Sequence, residues 1–414
     1  MRRCCHFRLG GGAGPAQQGA DGGNWIGTWT ASPQPVWEAD FFAPVGIPRA
    51  LRDQTLRQIA RVSLGGDQVR VVISNEYGDH PLVIGSAHVA LAGDGVAIVP
   101  GSDRALTFGG SPSVTIPPGA PMISDPVDLA VAPLGSVAVS LYLPEITPTT
   151  TWHNEGVQTA YISGQGDFAG DTAFEPAQTI QSRIFLSGIM VDAAPDARAV
   201  VTFGDSITDG ATSTPDANHR WPDFLAERLH EAGARVAVLN QGISGARVLR
   251  ADGRQCARAL RPRCAEPAPR RYRDPDDGHQ RHRLAGHAAG ARGRAGASAD
   301  DIIAGYKQLI DRAHAHDMVI LGATLTPFED TFRGNPLFGY YDEAKEAKRQ
   351  AVNQWIRTSG AFDGVIDFDA MTRDPDNPRH IQAEFDSGDH LHPQDTGYEA
   401  MADGVDLELL GVKP

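Results

Sequence analysis

Four cysteines in 414 residues leave no disulfide framework or zinc site around which the fold could be built. Cys4 and Cys5 stand in the leader, Cys256 and Cys264 in a stretch of unusual composition, and all four read as free thiols. No apolar run approaches the roughly 18 residues needed to span a bilayer. An excess of positive charge is missing too. The formal net charge is −14, which argues against a nucleic-acid partner, because such binders need a basic face to release counterions from phosphate. Residues 1–24 begin with two arginines but lack the roughly 7–15-residue apolar core of a signal peptide. They read as a disordered leader or a degraded signal region.

What remains is ordinary soluble composition, 41% hydrophobic and 21% charged, in a chain long enough for two domains. Residues 25–195 carry a β pattern. Residues 58–64 alternate, Gly65-Gly66-Asp67 turns, and residues 68–74 alternate back, which is a hairpin signal. Further short strands fit residues 88–91, 113–116, 127–131, 136–143 and 159–163, between Pro and Gly clusters. Spacing of this kind predicts a β-sandwich of jelly-roll type. Trp25, Trp29, Trp37 and Trp152 admit two readings: a sugar-binding face, or core and interface packing, the commoner fate of such aromatics.

From residue 196 to 414 the pattern changes to β/α. Strands are expected at 199–203, 235–240, 318–323 and 364–368, and helices at 220–232, 299–315, 341–358 and 395–408. Alternation of this sort implies a parallel sheet covered on both faces. The first strand ends in Gly204-Asp205-Ser206-Ile207-Thr208 and delivers a serine to the C-terminal edge of the sheet, where α/β folds place their chemistry. A serine nucleophile needs a base, and the base needs an orienting acid. Near the C-terminus stands Asp389-His390-Leu391-His392-Pro393, followed by Gly397-Tyr398.

The residues GDSIT and DHLHP resemble the first and last signature blocks of the GDSL (SGNH) hydrolases, a family of serine esterases and acylhydrolases. The resemblance spans about residues 199–410. It implies a flavodoxin-like three-layer α/β/α domain, with Ser206 as nucleophile, His392 as general base and Asp389 as the acid that fixes its tautomer. His390 lies off the matching spacing and reads as exposed or structural. The resemblance also implies oxyanion donors at the backbone N–H groups of Ser206 and Gly242, the latter in Asn240-Gln241-Gly242-Ile243-Ser244-Gly245. A third donor, an asparagine in a G-x-N-D block, has no counterpart after Gly245, since neither Asn353 nor Asn377 follows a buried strand. Arg220-Trp221 and Thr324-Leu325-Thr326-Pro327 are expected beside the cleft. Trp25 to Pro35, WIGTWTASPQP, adds a weaker resemblance to arylesterase-like members that carry an N-terminal β-domain.

Residues 252–297 do not fit. They contain no Val, Ile, Phe, Trp, Met, Thr, Ser, Asn or Lys and hold eleven arginines, so neither a buried strand nor an amphipathic helix is expected. Read one base later, permitted codons for residues 276–287 spell Met-Thr-Gly-Ile-Asn-Asp-Ile-Gly-Trp-Pro-Gly-Thr, which contains the missing block. The segment therefore reads as frame-shifted and disordered, and resequencing that finds an uninterrupted frame without Asn-Asp codons refutes this. An arginine-rich loop for polyanions is the competing reading.

The expected function is serine-dependent hydrolysis of carboxylic esters through an acyl-enzyme, on a small-molecule or carbohydrate ester (an acylated carbohydrate or a short-chain aryl or alkyl ester), with activity impaired by the loss of the third signature block. No metal or organic cofactor, nucleic-acid partner or membrane span is implied, and a secreted or periplasmic location suits the β-domain. The alternative is a carbohydrate-binding or interaction protein whose hydrolase domain has decayed.

Overall fold

A computed structural model describes residues 23–37, 46–249, 297–333 and 339–413, and the backbone of 283–287. Residues 1–22, all four cysteines and the rest of residues 252–296 lie outside the described residues. The principal strands, in chain order, are β1 (Trp25–Thr30), β2 (Gln54–Arg61), β3 (Gly66–Ser74), β4 (Ser86–Leu91), β5 (Ser136–Leu143), β6 (Thr151–His153), β7 (Ala160–Gln165) and β8 (Leu186–Asp192). These belong to the strand-rich N-terminal part. One antiparallel sheet runs β1, β8, β3 and then Pro121–Ile123, with Val127–Val131 also on β3. A second is centred on β2 between β7 and β5, with β4 beyond β5, and β6 lies in a smaller three-stranded sheet.

The expected hairpin does not form. Residues 58–64 and 68–74 are indeed mostly strand, but β2 and β3 sit in different sheets. Alternating hydrophobicity shows that a strand has one buried face and does not say which strand it pairs with. Here Ser63 and Leu64 leave β2's sheet by bonding to β1, where the Ser63 N–H donates to the Thr28 carbonyl at 3.0 Å and the Leu64 N–H to Thr28 Oγ1 at 2.7 Å. The chain thus crosses between sheets instead of folding back.

The second part contains β9 (Arg198–Gly204), β10 (Val236–Gly242), β11 (Arg283–His287), β12 (Val319–Ala323) and β13 (Gly364–Ile366). They form one parallel sheet in the spatial order β10-β9-β11-β12-β13. Its helices are α1 (Ser206–Asp209), α2 (Trp221–Glu231), α3 (Ala299–His314), α4 (Glu343–Thr358), α5 (Phe368–Thr372) and α6 (Asp395–Asp403). The expected final helix stops at Gly404 and resumes only as a 3-10 turn at Leu407–Leu410.

β9 is buried throughout except at Arg198, as a strand covered on both faces must be. Ala199, Val201 and Phe203 join α3 and α4 residues such as Tyr306, Leu309 and Val352 in one core cluster. Val200 joins Trp221 and Leu225 of α2 and Tyr398 and Met401 of α6 in another. Helices therefore pack against both faces.

β11 corrects the sequence reading of residues 252–297. That stretch was expected to hold no strand, yet Arg283–His287 lies at the centre of the sheet, in register with β9 from Val200↔Arg283 to Gly204↔His287. A ladder is made by backbone N–H and C=O groups, and the inner edges of β9 and β12 need partners whatever side chains the intervening strand carries. Hydrophobic patterning does not detect that demand. Among the described residues, no helix is long and apolar enough to cross a membrane, and no cluster of His, Cys, Asp or Glu could hold a metal ion.

Candidate functional site

β9 ends at Gly204, and the chain turns at once into the four-residue helix α1. Asp205 caps it, accepting the Ile207 N–H on Oδ1 at 3.0 Å. Ser206 is thus the first helical residue, just past the C-terminal end of β9. Gly210 ends the helix at φ 104°, a conformation that favours glycine.

The partners arrive from the loop before α6. Ser206 Oγ lies 2.8 Å from His392 Nε2, and His392 Nδ1 lies 2.6 Å from Asp389 Oδ2. The other carboxylate oxygen, Oδ1, accepts the backbone N–H groups of Leu391 at 2.9 Å and His392 at 2.8 Å. Burial alone would push the Asp389 carboxyl upward. The His392 side chain and the two backbone donors outweigh it and hold the pKa at about 2. An ionised carboxylate only accepts, so the proton on His392 sits on Nδ1 and the Nε2 lone pair faces the serine hydroxyl. That tautomer can take the hydroxyl proton as Oγ attacks a carbonyl carbon. His390 is not part of this chain of bonds: its Nδ1 pairs with Asp386 Oδ2 at 2.5 Å.

The loop is fixed from several sides. Phe332 N–H donates to the Asp389 carbonyl at 3.1 Å, and Thr331 Oγ1 donates to the His390 carbonyl at 2.8 Å. Thr212 Oγ1 donates to the Pro393 carbonyl at 2.8 Å. Tyr398, buried in α6, donates its hydroxyl to the Ala211 carbonyl at 2.7 Å. Each contact joins the His392 loop either to the segment after the serine or to the loop after β12.

The role expected of Gly242 does not fit the geometry. Its N–H already donates to Asn240 Oδ1 at 2.8 Å, while Asn240 Nδ2 donates to the Thr208 carbonyl at 2.8 Å. Gly242 serves another purpose. A β-carbon there would lie 2.3 Å from Asp209 N and 2.6 Å from Asp209 Cα, so only glycine lets β10 approach α1 this closely. Beyond it, the Ala246 N–H bonds to the Ile243 carbonyl at 2.8 Å, closing a turn with Gly245 at φ 77°. Among the described residues the backbone N–H groups of Ser206 and Gly245 have no acceptor.

The other positions that the sequence singles out lie as follows. Asn353 is fully buried and bridges the chain after β12, accepting the Leu325 N–H at 2.7 Å and donating to the Leu325 carbonyl at 2.8 Å. Asn377 is exposed and its N–H meets Asp374. Residues 324–327 are buried. Trp221 is buried against Phe368, its ring centroid 5.2 Å away, while Arg220 pairs with Asp223 at 2.7 Å. Trp152 is buried with Trp37 edge-on at 5.1 Å, Trp29 is buried with Arg183 over its ring at 5.2 Å, and Arg70 covers Trp25 at 4.5 Å. These four indoles pack and do not form an open face.

Sequence reasoning missed two groups from the N-terminal part. His153 of β6 reaches Asp209 of α1, Nε2 to Oδ1 at 2.9 Å. Glu155 is half-buried close by. Its carboxyl is raised by burial and then by the Asp209 charge, against the opposing pull of His153 and His392. No local pattern marks either residue, because the partners become neighbours only when the two parts of the chain meet.

A family model described as GDSL-like lipase/acylhydrolase matches residues 202–400. No curated protein matches the chain. Among solved structures, a family two carbohydrate esterase from Clostridium thermocellum, in complex with cellohexaose, aligns over 94% of this chain and 100% of its own at 12% identity and TM-score 0.37. A family two carbohydrate esterase from Cellvibrio japonicus aligns over 94% and 97% at 12% identity and TM-score 0.35. A GDSL-like lipase from Bacteroides thetaiotaomicron aligns over 53% of this chain and 92% of its own, at 16% identity and TM-score 0.36.

Proposed function

For a chain whose residues 202–400 belong to the GDSL-like lipase/acylhydrolase family, we propose serine-dependent hydrolysis of carboxylic esters through an acyl-enzyme. The observation that carries the reading is the unbroken chain from Ser206 Oγ through His392 to Asp389, at 2.8 and 2.6 Å. Ser206 Oγ attacks the acyl carbonyl carbon while its proton passes to His392 Nε2, and the carbonyl oxygen becomes an oxyanion. Collapse of this intermediate breaks the bond to the alcohol oxygen, which leaves with the proton from His392. Water then attacks the acyl carbon and gives a proton to the same nitrogen; collapse breaks the bond to Ser206 Oγ, which takes that proton back as the acid leaves. The oxyanion rests on the N–H groups of Ser206 and Gly245, which have no acceptor among the described residues. Asp389 keeps Nδ1 protonated and stabilises the imidazolium that forms at each step.

The substrate class is an acylated carbohydrate or a short-chain aryl or alkyl ester. The catalytic unit is read as a flavodoxin-like three-layer domain from residue 196, supported by the sheet order and the helices on both faces. The preceding unit, residues 25–195, is read as a jelly-roll-like sandwich, supported by its two larger antiparallel sheets.

A fluorophosphonate probe and p-nitrophenyl acetate test the reading. The wild-type chain should label once and turn over, and Ser206→Ala should abolish both. A chain that neither labels nor turns over favours instead the binding or interaction protein with a decayed hydrolase domain.

A further inference from the structure

His153 comes from the β-sandwich and touches nothing in the Ser206–His392–Asp389 chain, yet it is bonded at both ring nitrogens. Nε2 faces Asp209 Oδ1 at 2.9 Å, and Nδ1 faces the Ser32 carbonyl oxygen at 3.1 Å. The side chains of His153 and Asp209 are 6% and 1% exposed. A carbonyl can only accept, so Nδ1 carries a proton. A carboxylate accepts from Nε2, so the ring is an imidazolium. Burial works against that charge, but the Asp209 carboxylate and the Ser32 carbonyl outweigh both burial and the neighbouring Arg183, and the ring's pKa is raised.

Asp209 is the last residue of α1, the helix that Ser206 begins. Its second oxygen, Oδ2, accepts the Ser244 N–H at 2.7 Å. Its backbone is also the surface against which Gly242 closes. One buried carboxylate is therefore fastened on one side to the sandwich and on the other to the turn that carries Gly245.

We propose that His153 is a positioning residue of the ester-hydrolysing site. Through Asp209 it holds α1 and the turn from Gly242 to Gly245 in the geometry that presents the Ser206 and Gly245 N–H groups to one oxyanion. The inference rests on the ester-hydrolase reading above. Without the imidazolium, Asp209 is a buried carboxylate lacking its counter-charge, so it turns away, and that weakens its hold on Ser244. A purely structural histidine would behave otherwise: its loss would reduce the number of folded molecules but not the rate of each.

The test uses the full chain as wild type, Ser206→Ala, His153→Gln, Asp209→Asn and the double variant His153→Gln/Asp209→Asn. Turnover of p-nitrophenyl acetate is divided by the serines titrated to completion with a fluorophosphonate. Each single variant should lose about 10²-fold in kcat per titrated serine, the scale of one disturbed oxyanion donor, with KM changed less than about threefold. The double variant should be no worse than the poorer single, because both break one link. If His153→Gln does not fold, Asp209→Asn carries the comparison. Ring 15N shifts of His153 in the wild type should show both nitrogens protonated at neutral pH, and a neutral ring overturns the inference. Singles within twofold of wild type per titrated serine, against a Ser206-dependent background, also overturn it and leave the ester-hydrolase reading standing. Hydrolysis that survives Ser206→Ala overturns both.

Discussion

Gly242→Ala separates two roles for one glycine. If Gly242 served as a backbone donor, alanine would be harmless, because it keeps the N–H. The structure gives the opposite expectation. The new β-carbon would lie 2.3 Å from Asp209 N, 2.6 Å from Asp209 Cα and 2.8 Å from Thr208 C, all atoms of the α1 backbone. Ordinary contact begins near 3.4 Å, so α1 or β10 has to retreat by roughly 1 Å, a misplacement that can cost about 10²-fold in rate. β10 cannot give easily, because it pairs with β9 in continuous register from Arg198↔Val236 to Gly204↔Gly242. Movement therefore falls on α1, whose first residue is Ser206. A shift of that size stretches the 2.8 Å contact between Ser206 Oγ and His392 Nε2 beyond hydrogen-bonding range. Overpacking of this kind costs about 1–3 kcal/mol in stability. The expected result is a loss of about 10²-fold in kcat per titrated serine, with a lower urea midpoint. A Gly242→Ala chain with the wild-type midpoint and kcat within threefold would refute the close-packing role and return Gly242 to the list of donors.

The low pKa of Asp389, about 2 against an ordinary 3.8, predicts an acid-sensitive contribution to stability. A depressed carboxyl stabilises the fold above its unfolded value, and that stability is lost as pH falls from about 3.8 toward 2. The loss amounts to about 2 kcal/mol, so urea unfolding of Asp389→Asn should show less dependence on pH across this window than the wild type, and identical slopes would count against the pairing. Arg349 is buried between Glu346, two bonds of 2.8 Å, and Asp369 at 2.5 Å. Arg349→Met leaves the buried Glu346 carboxylate without its cation and should cost about 3–5 kcal/mol in urea unfolding; an unchanged midpoint would show that Gln350 and Arg357 suffice.

What the sequence revealed was whatever is written locally. The run ending in Gly204-Asp205-Ser206 shows both its burial and its delivery of a serine, because a strand covered on both faces is apolar at successive positions. Asp389 and His392 are equally legible, since a three-residue spacing lets one carboxylate bond the imidazole and the backbone of the same loop. Pairing was less legible. Residues 58–64 and 68–74 have the pattern of a hairpin, yet the turn between them bonds to β1 and sends the chain to the other sheet. β11 was invisible for a related reason, because the requirement it meets is carried by the backbones of β9 and β12. Gly242 was assigned by motif to a donor's role, and only the position of Asn240 Oδ1 shows that its N–H is engaged.

The strand-rich N-terminal part and the parallel sheet are joined along one strand. β10 is the last strand of the parallel sheet, so its outer edge carries polar groups that no further strand satisfies. Side chains of the sandwich meet them. Ser63 Oγ accepts the Val238 N–H at 3.0 Å, Thr30 Oγ1 donates to the Asn240 carbonyl at 3.0 Å, and Ser32 Oγ donates to the Gln241 carbonyl at 3.2 Å. Apolar packing follows the same seam: Ile26 and Trp29 of β1 share a core cluster with Leu239 and Ile243. Sheet edges left bare invite pairing with other chains, and β1 closes this one without adding a strand. The same stretch brings Ser32 to His153 and so completes the support beneath Asp209. A free binding module would keep its contacts to itself and leave the enzyme's edge to a loop or helix. Here the residues WIGTWTAS cover the edge strand whose C-terminal end leads into the turn at Gly245, which makes the strand-rich N-terminal part a structural support of the segment that carries Ser206.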